Sequence, residues 1–118
     1  PERRIDLVGA GIDEVGACFS RVRLYVGNDS GLMHLAAAAG APTIGLFGPT
    51  ADAIYAPWGP KAVTVRVPRS HEEIKAEEGG EVTWHVSRNH MEDLDVATVE
   101  QAAIALLAKT AANGQNGP

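Results

Sequence analysis

The sequence has a single cysteine, Cys18, among its 118 residues. One cysteine cannot form an internal disulfide, and it fits a reducing compartment such as the cytoplasm. Basic residues are also scarce, with 10 Lys and Arg against 15 Asp and Glu and a net charge of -5. No Lys/Arg cluster is long enough for a nucleic-acid or polybasic membrane patch, so no nucleic-acid partner is expected. No apolar run approaches the length of a membrane span, and the first residues show no signal-peptide pattern.

The length is enough for one domain with a core of its own. The chain begins at Pro1 rather than at Met, and we expect it to be a piece of a longer protein. Residues 1–111 are predicted to form one partial domain. Residues 112–118 (ANGQNGP) are low in apolar content and are predicted to be a disordered tail.

Short apolar runs alternate with segments of helical periodicity. The predicted strands are Ile5–Gly9, Arg23–Gly27, Thr43–Phe47 and Ala62–Val67. The predicted helices are Ile12–Arg21, Leu32–Ala39 and Val96–Lys109. Gly40, and Pro42 two residues later, are predicted to stop the second of them. This alternation favours βαβ units in an α/β fold with a parallel sheet, and the apolar strands are typical of a sheet covered on both faces.

Two further expectations concern Cys18 and the segment from Pro68 to Asp93. Cys18 shares the apolar face of the first predicted helix, so it is expected in the core rather than as a reactive thiol. Between Pro68 and Asp93 the periodicity fails. The charged stretch 71–80 is interpreted there as a solvated face or loop, and Val82–Val86 as a short strand.

A polar turn, Asn28-Asp29-Ser30-Gly31, separates a strand-like run from a helix-like one. It lies beyond the carboxyl end of a predicted parallel strand, where open α/β sheets bind their ligands. The first-turn N–H groups of a helix are unpaired and electropositive, so such a turn suits a phosphate. Gly31 has no side chain and lets an anion approach the backbone, while the Ser30 hydroxyl can donate a hydrogen bond to it.

His34 and Asp29 extend this predicted site. His34 lies three residues after Gly31 and four after Ser30, which places its ring on the same face of the helix. The Asp29 carboxylate would repel a phosphate but suits hydroxyl donors, of which a sugar offers several. The cluster therefore predicts a site for a sugar joined to a phosphate. Two alternatives stay open from the residues alone: the turn is also typical of a helix cap, and His34 can be structural.

The residues around this turn also carry a family resemblance. They are Asp29-Ser30-Gly31, His34, Ala36-Ala37-Ala38, Gly40, Pro42, Leu46-Phe47-Gly48-Pro49-Thr50, Pro57 and Gly59. Together they resemble glycosyltransferase family 9, the family of the ADP-heptose:lipopolysaccharide heptosyltransferases. The resemblance implies a GT-B fold, in which two Rossmann-like domains face each other, with this chain as part of the C-terminal, donor-binding domain.

The resemblance also implies which ligands and catalytic groups belong to each domain of the full-length protein. The donor would be a nucleotide-sugar such as ADP-heptose, with no cofactor and no metal. The acceptor, a glycan or glycolipid, and the catalytic base would belong to the N-terminal domain, which this chain lacks. The full-length protein would act in the cytoplasm, at the inner face of the bacterial inner membrane. The donor-binding residues implied are Asp29, Ser30, Gly31, His34, Asn28 and Thr50.

Other polar residues have competing interpretations. Asp93-Leu94-Asp95 matches the Asp-x-Asp motif of metal-dependent glycosyltransferases, but it precedes a helix, where capping is the favoured interpretation. Trp58 can stack on a sugar or base, or close its loop by packing. The histidines of the irregular segment lack a ligand spacing, which disfavours a zinc site. They are His71, His85 and His90.

Two functions compete with that of a glycosyltransferase. One is a non-catalytic protein that keeps the GT-B-like fold and binds a sugar nucleotide without transferring it. The other is a relative of the UDP-sugar 2-epimerases, which also carry an Asp-Ser-Gly turn before a helix. The strand end Leu46-Phe47-Gly48-Pro49-Thr50 argues against the epimerase.

Overall fold

The structure, a computed structural model, describes residues 3–28, 30–48, 52–80 and 90–114. This part of the chain has an α/β architecture, as predicted. Its strands are β1 (Tyr25–Asn28), β2 (Thr43–Phe47) and β3 (Ala62–Arg66). Its helices are α1 (Ile12–Phe19), α2 (Gly31–Ala38), α3 (Asp52–Tyr55), α4 (His71–Glu77) and α5 (Val96–Gly114), with a 3-10 helix at His90–Asp93 before α5.

The three strands form a parallel sheet in the order β1-β2-β3. In its register, Asn28 lies opposite Leu46, and Phe47 lies opposite Arg66. Because all strands run the same way, their carboxyl ends lie together at one edge of the sheet. The strands end there at Asn28, Phe47 and Arg66, and we call this side of the sheet the carboxyl edge.

Helices cover the two faces of the sheet. On one face Ile44 of β2 and Val65 of β3 pack with Leu106 of α5, and all three are buried. On the other face α2 contributes Met33 and Ala36, which are fully buried. Coverage on both faces explains why β2 is apolar throughout, as the sequence indicated, whereas β1 alternates between half-buried and exposed residues.

A glycine ends α2, as predicted. Gly40 has φ +90, a conformation that favours glycine. Its N–H bonds to the Ala37 carbonyl at 3.1 Å, and the Ala41 N–H bonds to the Ala36 carbonyl at 3.0 Å. These two bonds form a Schellman motif, which satisfies carbonyls at the end of the helix and turns the chain into β2.

The predicted strand Ile5–Gly9 is wrong. No strand forms there, and Ile5 and Val8 are exposed. Instead the Asp6 carboxylate accepts a hydrogen bond from the Val8 N–H at 2.9 Å, and Gly9 takes φ +87. Local side-chain bonds of this kind compete with strand formation, and among the described residues no partner strand lies alongside to offset them.

The prediction that Cys18 lies in the core is also wrong. Cys18 is exposed, and no residue of α1 is buried. The helix does form, and it packs against α2, where a Cβ on Gly16 would lie 3.5 Å from Leu35 Cδ1. The apolar periodicity of α1 therefore predicted the helix correctly, although no described residue covers its apolar face.

Part of the segment interpreted as irregular is the helix α4. The Ser70 side chain caps it by accepting a hydrogen bond from the Glu73 N–H at 3.1 Å. Ile74, a residue of this helix, is fully buried. The spacing Ser70-x-x-Glu73 is that of a capping box. The charged residues of this stretch are therefore the solvated face of a helix, and the loop interpretation of residues 71–77 is wrong.

The remaining bounds differ by small amounts. Helix α5 ends at Gly114 rather than at Lys109, and β1 runs to Asn28 rather than Gly27. The predicted strand Val82–Val86 lies outside the described residues. The partial domain at residues 1–111 stays a prediction. Of the segment predicted to be a disordered tail at 112–118, residues 112–114 are helical and end α5, and residues 115–118 lie outside the described residues. Within the described ranges, no helix has the length and apolar content to cross a bilayer.

Candidate functional site

The start of α2 is the centre of the predicted site. Ser30 is its N-cap residue, with extended backbone (φ -159, ψ 171), and its side chain makes no capping hydrogen bond. The first backbone bond of the helix runs from the His34 N–H to the Ser30 carbonyl at 3.4 Å. The N–H groups of Gly31, Leu32 and Met33 precede that bond and so have no partner within the helix. Of these residues Met33 is fully buried, whereas Gly31 and Leu32 are exposed, so two amides and the Ser30 hydroxyl are available to a ligand at one point.

The surroundings of Gly31 are open. A Cβ built on this residue would meet no described atom within 4 Å, and Ser30, Gly31 and His34 are all exposed. The glycine is therefore not required by packing against the described residues. Its lack of a side chain instead leaves the first-turn amides approachable. An anion can reach them, and the dipole of α2 favours negative charge at this end.

Packing beneath the turn holds this helix end at the carboxyl edge. Met33 lies fully buried against the sheet, and a Cβ on Gly45 of β2 would lie 2.5 Å from its sulfur. Gly45 therefore allows Met33, and with it the first turn of α2, to approach β2 closely. The exposed residues Ser30 and His34 flank Met33 in sequence. The sheet thus fixes a turn whose outer residues stay open to solvent.

Asn28 takes a different position from these residues. It is paired in register with Leu46, and both line a cavity of about 500 Å³ on the α5 side of the sheet. Val99 and Glu100 of α5 line the same cavity. Cavities of this size hold small molecules in many proteins. The structure therefore brings Ser30, Gly31 and His34 together on α2 and places Asn28 at a cavity on the opposite, α5 face of the sheet.

Two predicted site residues, Asp29 and Thr50, lie outside the described residues. Their assignment to the site stays a prediction. The residues that flank them are described: Asn28 and Ser30 around Asp29, and Gly48 and Asp52 on either side of residues 49–51. All four flanking residues lie just beyond or at the carboxyl edge.

Arg66 is a polar residue of this edge that the sequence reasoning missed. It is the last residue of β3, and its guanidinium donates to the Asp52 carboxylate at 2.9 Å and to the Gly48 carbonyl. The signal was present in the sequence, since Arg66 is the one charged residue in the apolar run Ala62–Val67. A charged side chain within a buried strand requires a polar or oppositely charged partner. When the charged residue ends the strand, that partner lies near the carboxyl edge, where α/β sheets bind ligands.

The other candidate residues have structural surroundings. The Asp95 carboxylate accepts a hydrogen bond from the Ala97 N–H at 3.1 Å, which confirms the capping interpretation for this residue. His90 is buried, with its Nε2 3.4 Å from the Glu78 carboxylate. Trp58 is 84% exposed and does not close its loop by packing against the described residues. Its stacking role remains a prediction.

The fold and the turn together define a class of protein: an α/β protein of Rossmann-like architecture in which a helix without a side-chain cap starts at the carboxyl edge of the sheet. Residues 7–85 match glycosyltransferase family 9 (heptosyltransferase). The chain belongs to this family, whose members have the GT-B fold. All of the predicted donor-binding residues lie within the matched range.

Two curated relatives are similar to part of the chain. Lipooligosaccharide heptosyltransferase 2 of Haemophilus influenzae is 38% identical over 64 residues, which cover 53% of this chain and 18% of that protein. Lipopolysaccharide heptosyltransferase 3 of Escherichia coli is 42% identical over 45 residues, which cover 38% of this chain and 13% of that protein. The chain thus spans less than a fifth of either relative. No solved structure matches it.

Proposed function

We propose that the chain is the donor-binding part of a glycosyltransferase that transfers heptose from ADP-heptose to an acceptor of the lipopolysaccharide-core type. The observation that carries this proposal is the uncapped start of α2, with Gly31 open to solvent at the carboxyl edge of a parallel sheet. Family membership supports transfer rather than epimerisation. The names of the two relatives support a heptose donor and a lipopolysaccharide-type acceptor.

In this proposal the start of α2 binds the diphosphate of the donor. The amides of Gly31 and Leu32 donate to phosphate oxygens, and the Ser30 hydroxyl adds a third donor. His34, one turn along the same face, contacts the diphosphate or the sugar next to it. The dipole of α2 contributes on the order of 0.3–2 kcal/mol to the binding of the anion. This is a small part of what a transferase needs, so the rest comes from groups outside this chain.

The sugar lies on the other side of the turn. Asp29 accepts hydrogen bonds from sugar hydroxyls, because its carboxylate suits hydroxyl donors and would repel a phosphate. Asn28, the last residue of β1, and Thr50 complete the proposed donor site. Their side chains offer amide and hydroxyl groups, which match the donors and acceptors of a sugar.

The chemistry proposed for this site is displacement at the anomeric carbon. The bond from that carbon to the diphosphate oxygen breaks, and a bond to the acceptor oxygen forms through an oxocarbenium-like transition state. The nucleoside diphosphate departs with the electron pair, and the acceptor hydroxyl gives its proton to a base that we assign to the acceptor domain. Negative charge grows on the leaving phosphates, where fixed N–H donors stabilise it. Neither a cofactor nor a metal ion takes part in this scheme.

The acceptor side of the reaction belongs to the rest of the protein. The proposal places a glycan or glycolipid acceptor on the N-terminal domain, with the full-length protein at the inner face of the cytoplasmic membrane as a peripheral protein. Nucleic acid is not among the partners proposed for this chain, whose net charge of -5 disfavours it.

A transfer assay tests the proposal. The full-length protein, incubated with ADP-heptose and a heptose-deficient lipopolysaccharide core, should release ADP and extend the core. The 118-residue chain under the same conditions should release none, because it lacks the acceptor domain and the base. An inactive full-length protein would contradict the transferase assignment. Turnover by the chain alone would contradict its assignment as half of a site.

A further inference from the structure

The cavity of about 500 Å³ on the α5 side opens at the carboxyl edge, between the ends of β1 and β2 and the start of α5. Leu46 lies at its floor and is the one half-buried residue of β2, whose other four residues are buried. Val96, Val99 and Glu100 of α5 form the facing wall, because residues three and four apart share one face of a helix. The hollow therefore keeps aliphatic surface accessible at the edge where α/β sheets bind ligands.

Two polar side chains line this cavity, Asn28 at the end of β1 and Glu100 on α5. Both residues are exposed. Within the part of the chain that the structure describes, neither side chain is engaged in a hydrogen bond or an ion pair. A carboxylate only accepts hydrogen bonds, whereas a carboxamide both donates and accepts. The pair can therefore bind a ligand through its hydroxyl groups.

The lining of the cavity selects the class of ligand. Glu100 would repel a phosphate, and no described lining residue is basic to offset that repulsion. The described lining also has no aromatic ring on which a nucleobase could stack, since its apolar residues are Leu, Val and Met. A pyranose ring fits both features, because its C–H groups pack against aliphatic side chains and its hydroxyls donate to a carboxylate. Ligand pockets commonly combine apolar walls with a few polar groups in this way.

The cavity and the start of α2 lie on opposite faces of the sheet but close together. Asn28 lines the cavity, Ser30 is the N-cap residue of α2, and one residue separates them in sequence. Two residues of extended chain span at most about 7 Å, so the two places meet across the end of β1. We propose that the cavity is a subsite for a pyranose ring, in which Glu100 accepts hydrogen bonds from the sugar hydroxyls. This inference rests on the proposed function and adds to it a binding residue on α5.

An NMR titration of the 118-residue chain with free heptose tests the subsite itself. We expect the largest amide shifts on Asn28, Val96 and Glu100. Val96→Phe should abolish them, because Val96 is 77% exposed at the rim and its phenyl replacement fills the cavity without displacing buried residues. Ile104→Phe is the matched control, since Ile104 is an exposed apolar residue of the same helix that does not line the cavity, and it should bind as wild type does. Shifts that are absent, or that survive Val96→Phe, would overturn the inference.

Transfer kinetics of the full-length protein identify the source of the ring. We expect Glu100→Gln to raise one KM about tenfold, the effect of weakening a hydrogen bond to a charged group. A higher KM for ADP-heptose places the donor heptose in the cavity, and a higher KM for the lipopolysaccharide core places an acceptor sugar there. Two unchanged KM values would overturn the inference. An equal loss of affinity for ADP, which carries no pyranose, would also overturn it.

Glu92→Gln is the control for the loss of charge. Glu92 is an exposed carboxylate of the 3-10 helix and does not line the cavity, although its neighbour Met91 does. Both KM values should stay within about twofold of wild type, as is usual for surface substitutions. A rise equal to that of Glu100→Gln would overturn the inference, because the effect would then be one of overall charge.

The two experiments separate this inference from the proposed function. Glu100→Gln changes an exposed side chain, so it keeps the subsite testable if Val96→Phe does not fold, and it should weaken the binding of free heptose in the titration. A chain that binds ADP but shows no heptose shifts would overturn this inference alone. A full-length wild type that transfers no heptose would overturn the proposed function, and the titration with free heptose would still decide whether the cavity binds a sugar.

Discussion

Met33 of α2 occupies the space that a side chain at Gly45 of β2 would need. A Cβ on Gly45 would lie 2.5 Å from the Met33 sulfur, 3.0 Å from the Phe47 ring and 3.3 Å from Pro57 Cδ. Met33 and Phe47 are fully buried, so neither can move toward solvent. This contact sets how closely the first turn of α2 approaches the sheet, and hence where the candidate anion site lies.

We therefore expect Gly45→Ala to destabilise the fold. The added methyl group forces buried neighbours to shift, and overpacking of this kind typically costs about 1–3 kcal/mol. Chemical denaturation followed by circular dichroism measures the change. Gly16→Ala in α1 is the control, because its Cβ makes only an ordinary contact at 3.5 Å with Leu35. Equal stability of wild type and Gly45→Ala would show that α2 and the sheet are not in close contact here.

Gly31→Ala should separate binding from stability at the same helix. The Cβ meets no described atom within 4 Å, so the fold should be unchanged or more stable by about 0.4–1 kcal/mol. The methyl group would stand beside the first-turn amides and obstruct an anion. We expect the Kd for ADP to rise about tenfold, equivalent to 1.4 kcal/mol. Calorimetric titration together with a melting curve checks both parts. Unchanged ADP affinity in a stable variant would argue against the turn as the phosphate site.

Asp29→Ala in the full-length protein tests the sugar side of the turn. We expect kcat/KM to fall by about 10- to 100-fold, because a hydrogen bond to a charged group contributes about 1.5–3 kcal/mol. The melting temperature should remain near that of wild type. Glu72→Ala, which removes an exposed carboxylate from the first turn of α4, serves as the control and should retain full activity. A well-folded Asp29→Ala variant with normal turnover would remove Asp29 from the site, while an unfolded one would support a capping role.

The sequence was informative where structure depends on local signals. Thr43–Phe47 was predicted with the observed bounds, because an apolar run between Pro42 and Gly48 is a typical buried strand. Gly40 was predicted to end α2 because glycine favours helix ends and Pro42 follows two residues later. Helix α4 was not predicted, because the charge of the stretch 71–80 was interpreted as a solvated face or loop. Ser70 followed by Glu73 has the spacing of a capping box and is the signal for the helix start.

Non-local contacts were beyond such reasoning. The bonds from Arg66 join residues 14 and 18 positions apart, and no local pattern indicates which carbonyl or carboxylate the guanidinium will reach. The failure at Ile5–Gly9 has the same origin, since a strand requires a neighbour and an apolar run does not show whether it has one. At the candidate site, Ser30, Gly31 and His34 could be predicted because they lie within one turn of a helix. The cavity beside Asn28 could not, because its walls come from segments far apart in sequence: β1, β2, the 3-10 helix and α5.

The most direct test of the central claim is an NMR titration of the 118-residue chain with ADP, followed through its backbone amides. We expect the largest shifts on Ser30, Gly31 and Leu32, and we expect His34→Ala to reduce them. One anion site without an opposing domain should give a millimolar Kd, equivalent to about 4 kcal/mol, that weakens with added salt. Shifts confined to residues 68–93, or no shifts at high millimolar ADP, would contradict the claim that the start of α2 binds the diphosphate.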